Sequence, residues 1–263
     1  MSSLEDRMLN YEGREARRTF IPRLPIMVRL DGRSFHKTTR YCERPFDAGF
    51  HSLMAAVAKT LAGETTAPCA YVQSDEITLA LWCDNRDAEP YFGGRVQKIV
   101  SSLAGMASAE FNAVGRGYTD ALPSIPAAFD CRAWQVPSLE EAANVFVWRE
   151  QDASRNSVQM AARAVFSHKQ CHGKNAGQLQ EMLHEKGINW NDYPDWCKRG
   201  TYLIRRKVLR ALTEAEITLI PEKHMPENGI VEEHEHAEEH PRLTSVSNRV
   251  GYLFGGSDAE VIE

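Results

Sequence analysis

The chain of 263 residues is long enough for one large domain or two small ones. Its 43% apolar and 25% charged residues are the composition of an ordinary soluble globular protein, and no run approaches the ~18 apolar residues of a membrane span. A formal charge of −5 argues against indiscriminate nucleic-acid binding, and six cysteines without a Cys-x-x-Cys pair read as reduced thiols of a cytoplasmic protein.

The opening "MSSLEDRMLNYEGREARR" has no apolar core and is not expected to be a secretory signal. Residues 14–44 carry nine basic side chains against Glu15, Asp31 and Glu43, a surface that could face a polyanion. Pro22 and Pro25 break the chain before "IMVRLD". There Ile26, Val28 and Leu30 alternate with Met27, Arg29 and Asp31, the period of a half-buried strand that ends at Asp31. Asp47 can cap a helix carrying Phe50, Leu53, Met54, Val57 and Leu61, with Gly63 at its end. "YVQSDEITLALW" follows as a strand or hairpin, then the turn-rich "RDAEPYFGG". Val96, Ile99, Val100, Leu103 and Ala107 mark a second amphipathic helix, and "IPAAFDCRAWQV" a strand. Ser138 with Glu141 forms a capping box for a third helix. Helical patterns recur at 149–167 and 176–186, the latter stopped by Gly187. "GTYLIRRK" and "NRVGYLF" read as later strands, and the acidic run Glu232–His240 as a solvated loop. The order up to about 136 is that of a split βαβ, ferredoxin-like unit, an α+β fold with an antiparallel sheet and helices on one face.

Two adjacent acids, Asp75 and Glu76, interrupt an apolar, β-prone stretch. A charge in a sheet core costs several kcal/mol unless it is paired or metal-bound. Either the strand is uninterrupted and the two acids point to opposite faces, or the chain turns at Ser74-Asp75 and both lie near a hairpin tip. In both cases Asp75 is the better candidate to meet Asp31. Two strand-end aspartates suit Mg²⁺, which takes one or two carboxylates plus substrate phosphates. Two such ions about 3.5–4 Å apart would activate an attacking oxygen and stabilise a leaving one. In "DGRSFHK", Gly32 permits close backbone approach, and the following N–H groups with Arg33 and His36 could cradle a triphosphate. Phe35 either stacks on a base or belongs to the core. Arg44, Arg95 and Lys98 are further anion donors or simply solvated charges.

"MVRLDGRSFHK", "RPFD", "YVQSDEITL", "FDCRAWQVPS", "VWREQDASRNSVQ" and "CKRGTYLIRR" occur in this order. The set resembles the tRNA-histidine guanylyltransferase family and its bacterial and archaeal relatives, the 3′–5′ polymerases, from about Met8 to Arg206. The resemblance implies a polymerase palm in residues 1–136, with 137–263 completing the catalytic domain and contacting tRNA. It implies activation of a tRNA 5′-monophosphate with ATP, then attachment of a nucleotide, typically from GTP, through its 3′-hydroxyl. By the same resemblance, Asp31 and Asp75 with the Gly32 carbonyl hold Mg²⁺, and Glu76 is an adjacent essential acid. Asp31, Gly32, Arg33, Ser34, Phe35, His36, Ser74 and Asp75 contact the triphosphate. Arg44 stands where the family often has a lysine, and Arg95 and Lys98 align with its basic triphosphate-binding positions. Lys174 and Asn189 match its tRNA-facing part, with Arg155 and Asn156 beside them. A homotetramer is also implied.

Eukaryotic members carry His-Ile-Asn-Asn where this chain has Ser154, Arg155, Asn156 and Ser157. That version resembles the relatives that repair 5′-truncated tRNAs against the opposite strand. A palm-domain nucleotide cyclase and a non-catalytic RNA-binding palm are the alternative readings. The first leaves the basic N-terminal third unexplained. The second leaves clustered acids that would repel phosphate.

Overall fold

The computed structural model describes residues 3–82, 85, 88–120, 122, 125–221, 224–226 and 228–262. Cys83 and the Arg86 and Asp87 of the turn-rich connection lie outside them. Chain order begins with α1 (Leu4–Ala16), β1 (Ile26–Gly32), a single turn α2 (Phe35–Thr38) and α3 (Ala48–Thr65). The hairpin strands β2 (Cys69–Gln73) and β3 (Glu76–Leu81) precede α4 (Val96–Val114) and β4 (Phe129–Gln135). The second half contains α5 (Leu139–Val165), α6 (His168–Cys171), α7 (Ala176–His184), α8 (Asp195–Arg199), β5 (Thr201–Ala211), α9 (Glu214–Leu219), β6 (Ile230–Glu239) and α10 (Arg249–Phe254).

The strands form one sheet in the order β4-β1-β3-β2-β5-β6, every neighbouring pair antiparallel. The first four strands have the ferredoxin-like order, and α3 and α4 lie on one face of them. Ile26, Val28 and Leu30 face these helices in a core with Leu53, Val57, Leu103 and Phe111. The opposite face is not solvated. There Met27, Tyr71 and Ala80 meet Ala143 and Phe146 of α5 and Tyr252 of α10. β1 is therefore buried on both faces, and its alternation separates two cores rather than core from water. A third cluster joins Val158 and Ala162 of α5 to Leu179 and Leu183 of α7.

Five local expectations are corrected. The helix capped by Asp47, which accepts from the Phe50 N–H at 2.8 Å, runs through Gly63 to a left-handed Thr66. The two patterns after Ser138 are one 27-residue helix, about 40 Å long. Ser138 accepts from the Glu141 N–H at 3.3 Å, but Glu141 accepts from Asn144 instead of closing the box. "NRVGYLF" contains helix α10, with Tyr252 and Leu253 buried. The acidic run forms most of β6, because β5 lays basic side chains opposite it: Arg206 meets Glu239 at 2.7 Å and Lys207 meets Glu232 at 2.9 Å. His236 there is buried, its Nε2 2.7 Å from the Ala67 carbonyl. The five described cysteines are free thiols. No described helix is long and apolar enough to cross a membrane.

Candidate active site

β1 delivers Asp31 at its exit, directly opposite Glu76 in the register with β3. The chain turns at Ser74-Asp75 between β2 and β3, so the hairpin-tip geometry holds. The Gly32 N–H donates to the Asp75 carbonyl at 3.1 Å and ties the turn to the end of β1. A Cβ at Gly32 would collide with the Phe35 ring, so glycine is needed here for close approach. Burial pushes the Asp75 carboxyl up to about 6, and the Asp31 and Glu76 charges add to it against hydrogen bonds from its own backbone N–H and from Ser74. Arg132 of β4 reaches Asp31 only at 3.9 Å.

Glu76 is spent differently. Arg149 of α5 donates to both of its oxygens, from Nε at 2.6 Å and from a terminal nitrogen at 2.8 Å. The same guanidinium reaches Asp152 at 2.8 Å and stacks 4.5 Å from the Trp148 ring. Burial works against the Arg149 charge, but Glu76 and Asp152 outweigh it and hold its pKa above the ordinary value. A bidentate, buried pair of this kind fixes geometry; it leaves Glu76 engaged rather than open to a ligand. Arg29 stands with its Nε 4.0 Å from Glu76 and its guanidinium carbon 5.7 Å from the Trp148 ring, the Nε buried without a hydrogen-bond partner.

Asp31, Ser74, Asp75, Glu76 and Asn156 line one cleft of about 510 Å³. The far wall is a stripe of α5, Arg149, Asp152, Asn156, Gln159 and Arg163. Their spacing of three or four residues puts them on one helix face. Composition did not single out Arg29, Arg149, Asp152, Gln159 or Arg163. The signal was polar residues recurring at helical spacing from "WREQD" onward. A second pocket of about 110 Å³ shares Gln73, Ser74, Asn156 and Met160 with the cleft and is also lined by Arg44. Arg33, Ser34 and His36 are exposed at the end of β1, Ser34 in the left-handed region.

Phe35 is corrected. Its ring is 3% exposed and packs 4.9 Å from Phe129 and 5.3 Å from Phe111, so it is core. Arg95 and Lys98 are not brought to the acids. Arg95 bridges Thr19 beside the entry to β1, while the other end of α4 meets the Asp31 end of the sheet through Asn112 and the Ala127 carbonyl, 2.8 Å apart. Asp31 lies about 17 Å along β1 from that entry. Lys98 instead covers the Phe92 ring at 4.9 Å. Asn189 caps a short turn, accepting from the Asn191 N–H at 3.1 Å. Arg155 pairs with Asp152 at 2.9 Å, and Lys174 lines a separate cavity.

Among the described residues no three His, Cys, Asp or Glu side chains converge as a self-sufficient metal site. Asp31, Asp75 and the Gly32 carbonyl are all hard oxygen donors, and burial, with the Asp31 charge added, disfavours the ionised Asp75 that a divalent cation would stabilise. The donor set fits a cation whose coordination is completed by a substrate's phosphates.

A ferredoxin-like sheet presenting two aspartates from adjacent strand ends to a polar cleft defines a palm-type nucleotidyltransferase. The sequence model of the tRNAHis guanylyltransferase family, Thg1, matches residues 5–137. A bacterial tRNA(His) guanylyltransferase (Thg1)-like protein solved in complex with ATP is 35% identical with a TM-score of 0.78, covering 97% of this chain and 98% of its own. One solved in complex with GTP is 33% identical with a TM-score of 0.71, covering 92% and 94%. The tRNA(His) guanylyltransferase of Schizosaccharomyces pombe is 28% identical over 203 residues, 72% of this chain and 76% of that one. The chain belongs to the tRNAHis guanylyltransferase family.

Proposed function

We propose that this protein adds nucleotides to the 5′ end of tRNA in the 3′–5′ direction, after ATP activates the 5′-monophosphate. The observation that carries the reading is the Asp31–Asp75 pair tied by the Gly32–Asp75 hydrogen bond at the mouth of the cleft. ATP-bound and GTP-bound relatives of the same fold support the substrates. Two Mg²⁺ ions on Asp31, Asp75 and the Gly32 carbonyl would stabilise phosphate charge and activate the attacking hydroxyl. Backbone N–H groups from Ser34 to His36 offer donors to phosphate oxygens, and Arg29 adds a positive charge to the cleft wall. Arg44 borders the adjoining pocket and extends the nucleotide site. Glu76 acts by holding Arg149.

The substrate preference is template-directed repair. Ser157 is buried, accepting from the Trp190 indole at 3.1 Å, so of the Ser154–Ser157 segment Asn156 is the residue that lines the cleft. Arg155 offers a charge for backbone phosphate, a contact that reads no sequence. Place of action is the cytoplasm, and the exposed Leu4, Met8 and Tyr11 of α1 support a homo-oligomer of the tetrameric kind the family resemblance implies. Labelled 5′-monophosphorylated tRNA incubated with ATP, GTP and Mg²⁺ tests the reading. Extended RNA is expected; a cyclic nucleotide would make the protein a cyclase, and no product a binding protein.

A further inference from the structure

The cleft does not end at the acids. Gln159 and Arg163 of α5 line both the cleft and a second cavity of about 200 Å³ at the far end of the helix. From Asn156 to Arg163 the wall runs about 10 Å at 1.5 Å per residue. The second cavity is lined by Arg163, His168, His172 and Lys174, and among the described residues no carboxylate lines it. The two imidazoles stand side by side, their centroids 5.8 Å apart. All four side chains are exposed, and none has an ion pair or side-chain hydrogen bond among the described residues. Three other arginines of this half of the chain are instead held by acids: Arg149 by Glu76 and Asp152, Arg206 by Glu239, Arg210 by Glu216 and Glu233. The C-terminal end of α5 contributes only about half a negative charge, less than the two positive charges of Arg163 and Lys174.

We propose that this cavity is an anion subsite for a backbone phosphate of the RNA strand whose 5′ end lies at Asp31 and Asp75. The inference rests on the reading that RNA is the substrate. An RNA whose 5′ phosphate reacts at the acids must lead its next nucleotides away from them. The α5 stripe is a polar trough that ends in unpaired cations. Lys174 thus joins the site through this cavity, and Arg163, His168 and His172 join it with no motif of their own. Contacts of this kind hold position and register and carry no sequence information, which suits an enzyme whose selection comes from base pairing.

The experiment measures binding of 3′-labelled, 5′-monophosphorylated tRNA by fluorescence anisotropy at several salt concentrations. The variants are His168→Gln/His172→Gln, Lys174→Gln and, as a control, the exposed Lys186→Gln, with circular dichroism confirming the fold. Losing one phosphate contact should weaken binding about threefold to tenfold and reduce the log–log salt slope by about 1. Lys174→Gln should show both effects, His168→Gln/His172→Gln the weaker binding, and Lys186→Gln neither. Equal losses in all three would mean diffuse charge, and unchanged binding would mean no subsite; either overturns the inference. A raised KM for GTP with unchanged RNA affinity would make the cavity a nucleotide site and overturn it too. Wild-type protein that neither binds nor extends RNA overturns the functional reading with it, whereas extension by the wild type with unaltered variants removes the subsite alone.

Discussion

Asp75 is ionised at neutral pH against its surroundings. Moving a carboxyl from its ordinary 3.8 to about 6 corresponds to about 3 kcal/mol. In metal-free buffer the unfolded chain releases this proton first, so the wild type should lose stability as pH rises from about 4 through about 6 and level off above. Asp75→Asn removes the effect, and urea midpoints from pH 4 to 8 should show it gaining on the wild type across that window. Parallel pH profiles would show that Asp75 is not the strained carboxyl. Asp31→Asn and Asp75→Asn should each abolish activation and nucleotide addition, by about a thousandfold or more, while circular dichroism is unchanged; metal-assisted charge stabilisation is worth several kcal/mol of barrier. Normal turnover by either folded variant would refute the assignment. Both aspartates were visible in the sequence because charge in a β-prone run is anomalous. The occupation of Glu76 was not visible, since its partner Arg149 is 73 positions away.

At the scale of elements, α5 does two jobs: it closes one face of the sheet and walls the cleft. The Glu76–Arg149 pair fastens it to β3 at the site. Breaking a buried pair from one side costs about 3–5 kcal/mol, whereas replacing both partners by apolar groups is often neutral. Arg149→Met should therefore destabilise more than the double variant Arg149→Met/Glu76→Met, read from denaturant midpoints. Losses that simply add would mean the two do not act as a unit. Gly32→Ala would push against the Phe35 ring, itself wedged between Phe111 and Phe129. An overpacking cost of about 1–3 kcal/mol is expected, with the Asp31 exit displaced and activity lost; thermal unfolding together with turnover checks both. The helices α3 and α4 were legible because their stripes face one core. Helix α10 was misread because a short apolar run has no period that separates a strand from a buried helical turn.

For the whole molecule, selection by base pairing predicts that a tRNA lacking its first 5′ nucleotide is a better substrate than intact tRNA-histidine, whatever its identity. The comparison is kcat/KM with the pairing nucleotide supplied in each case. A tenfold preference for intact tRNA-histidine, about 1.4 kcal/mol in the transition state, would instead make guanylate addition the main activity. The sequence by itself determined the palm order of strands and helices, the Asp31 and Asp75 positions and the family, because these rest on local periodicity and on motifs contiguous in the chain. Tertiary structure alone decided what lies across the sheet. It made the acidic run a strand by placing Arg206 and Lys207 opposite it, and it turned the α5 stripe toward the acids. It also set Arg95 and Lys98 at the other end of the palm. Each depends on which distant segments meet, and periodicity reports which face of an element is apolar but not what that face will be packed against.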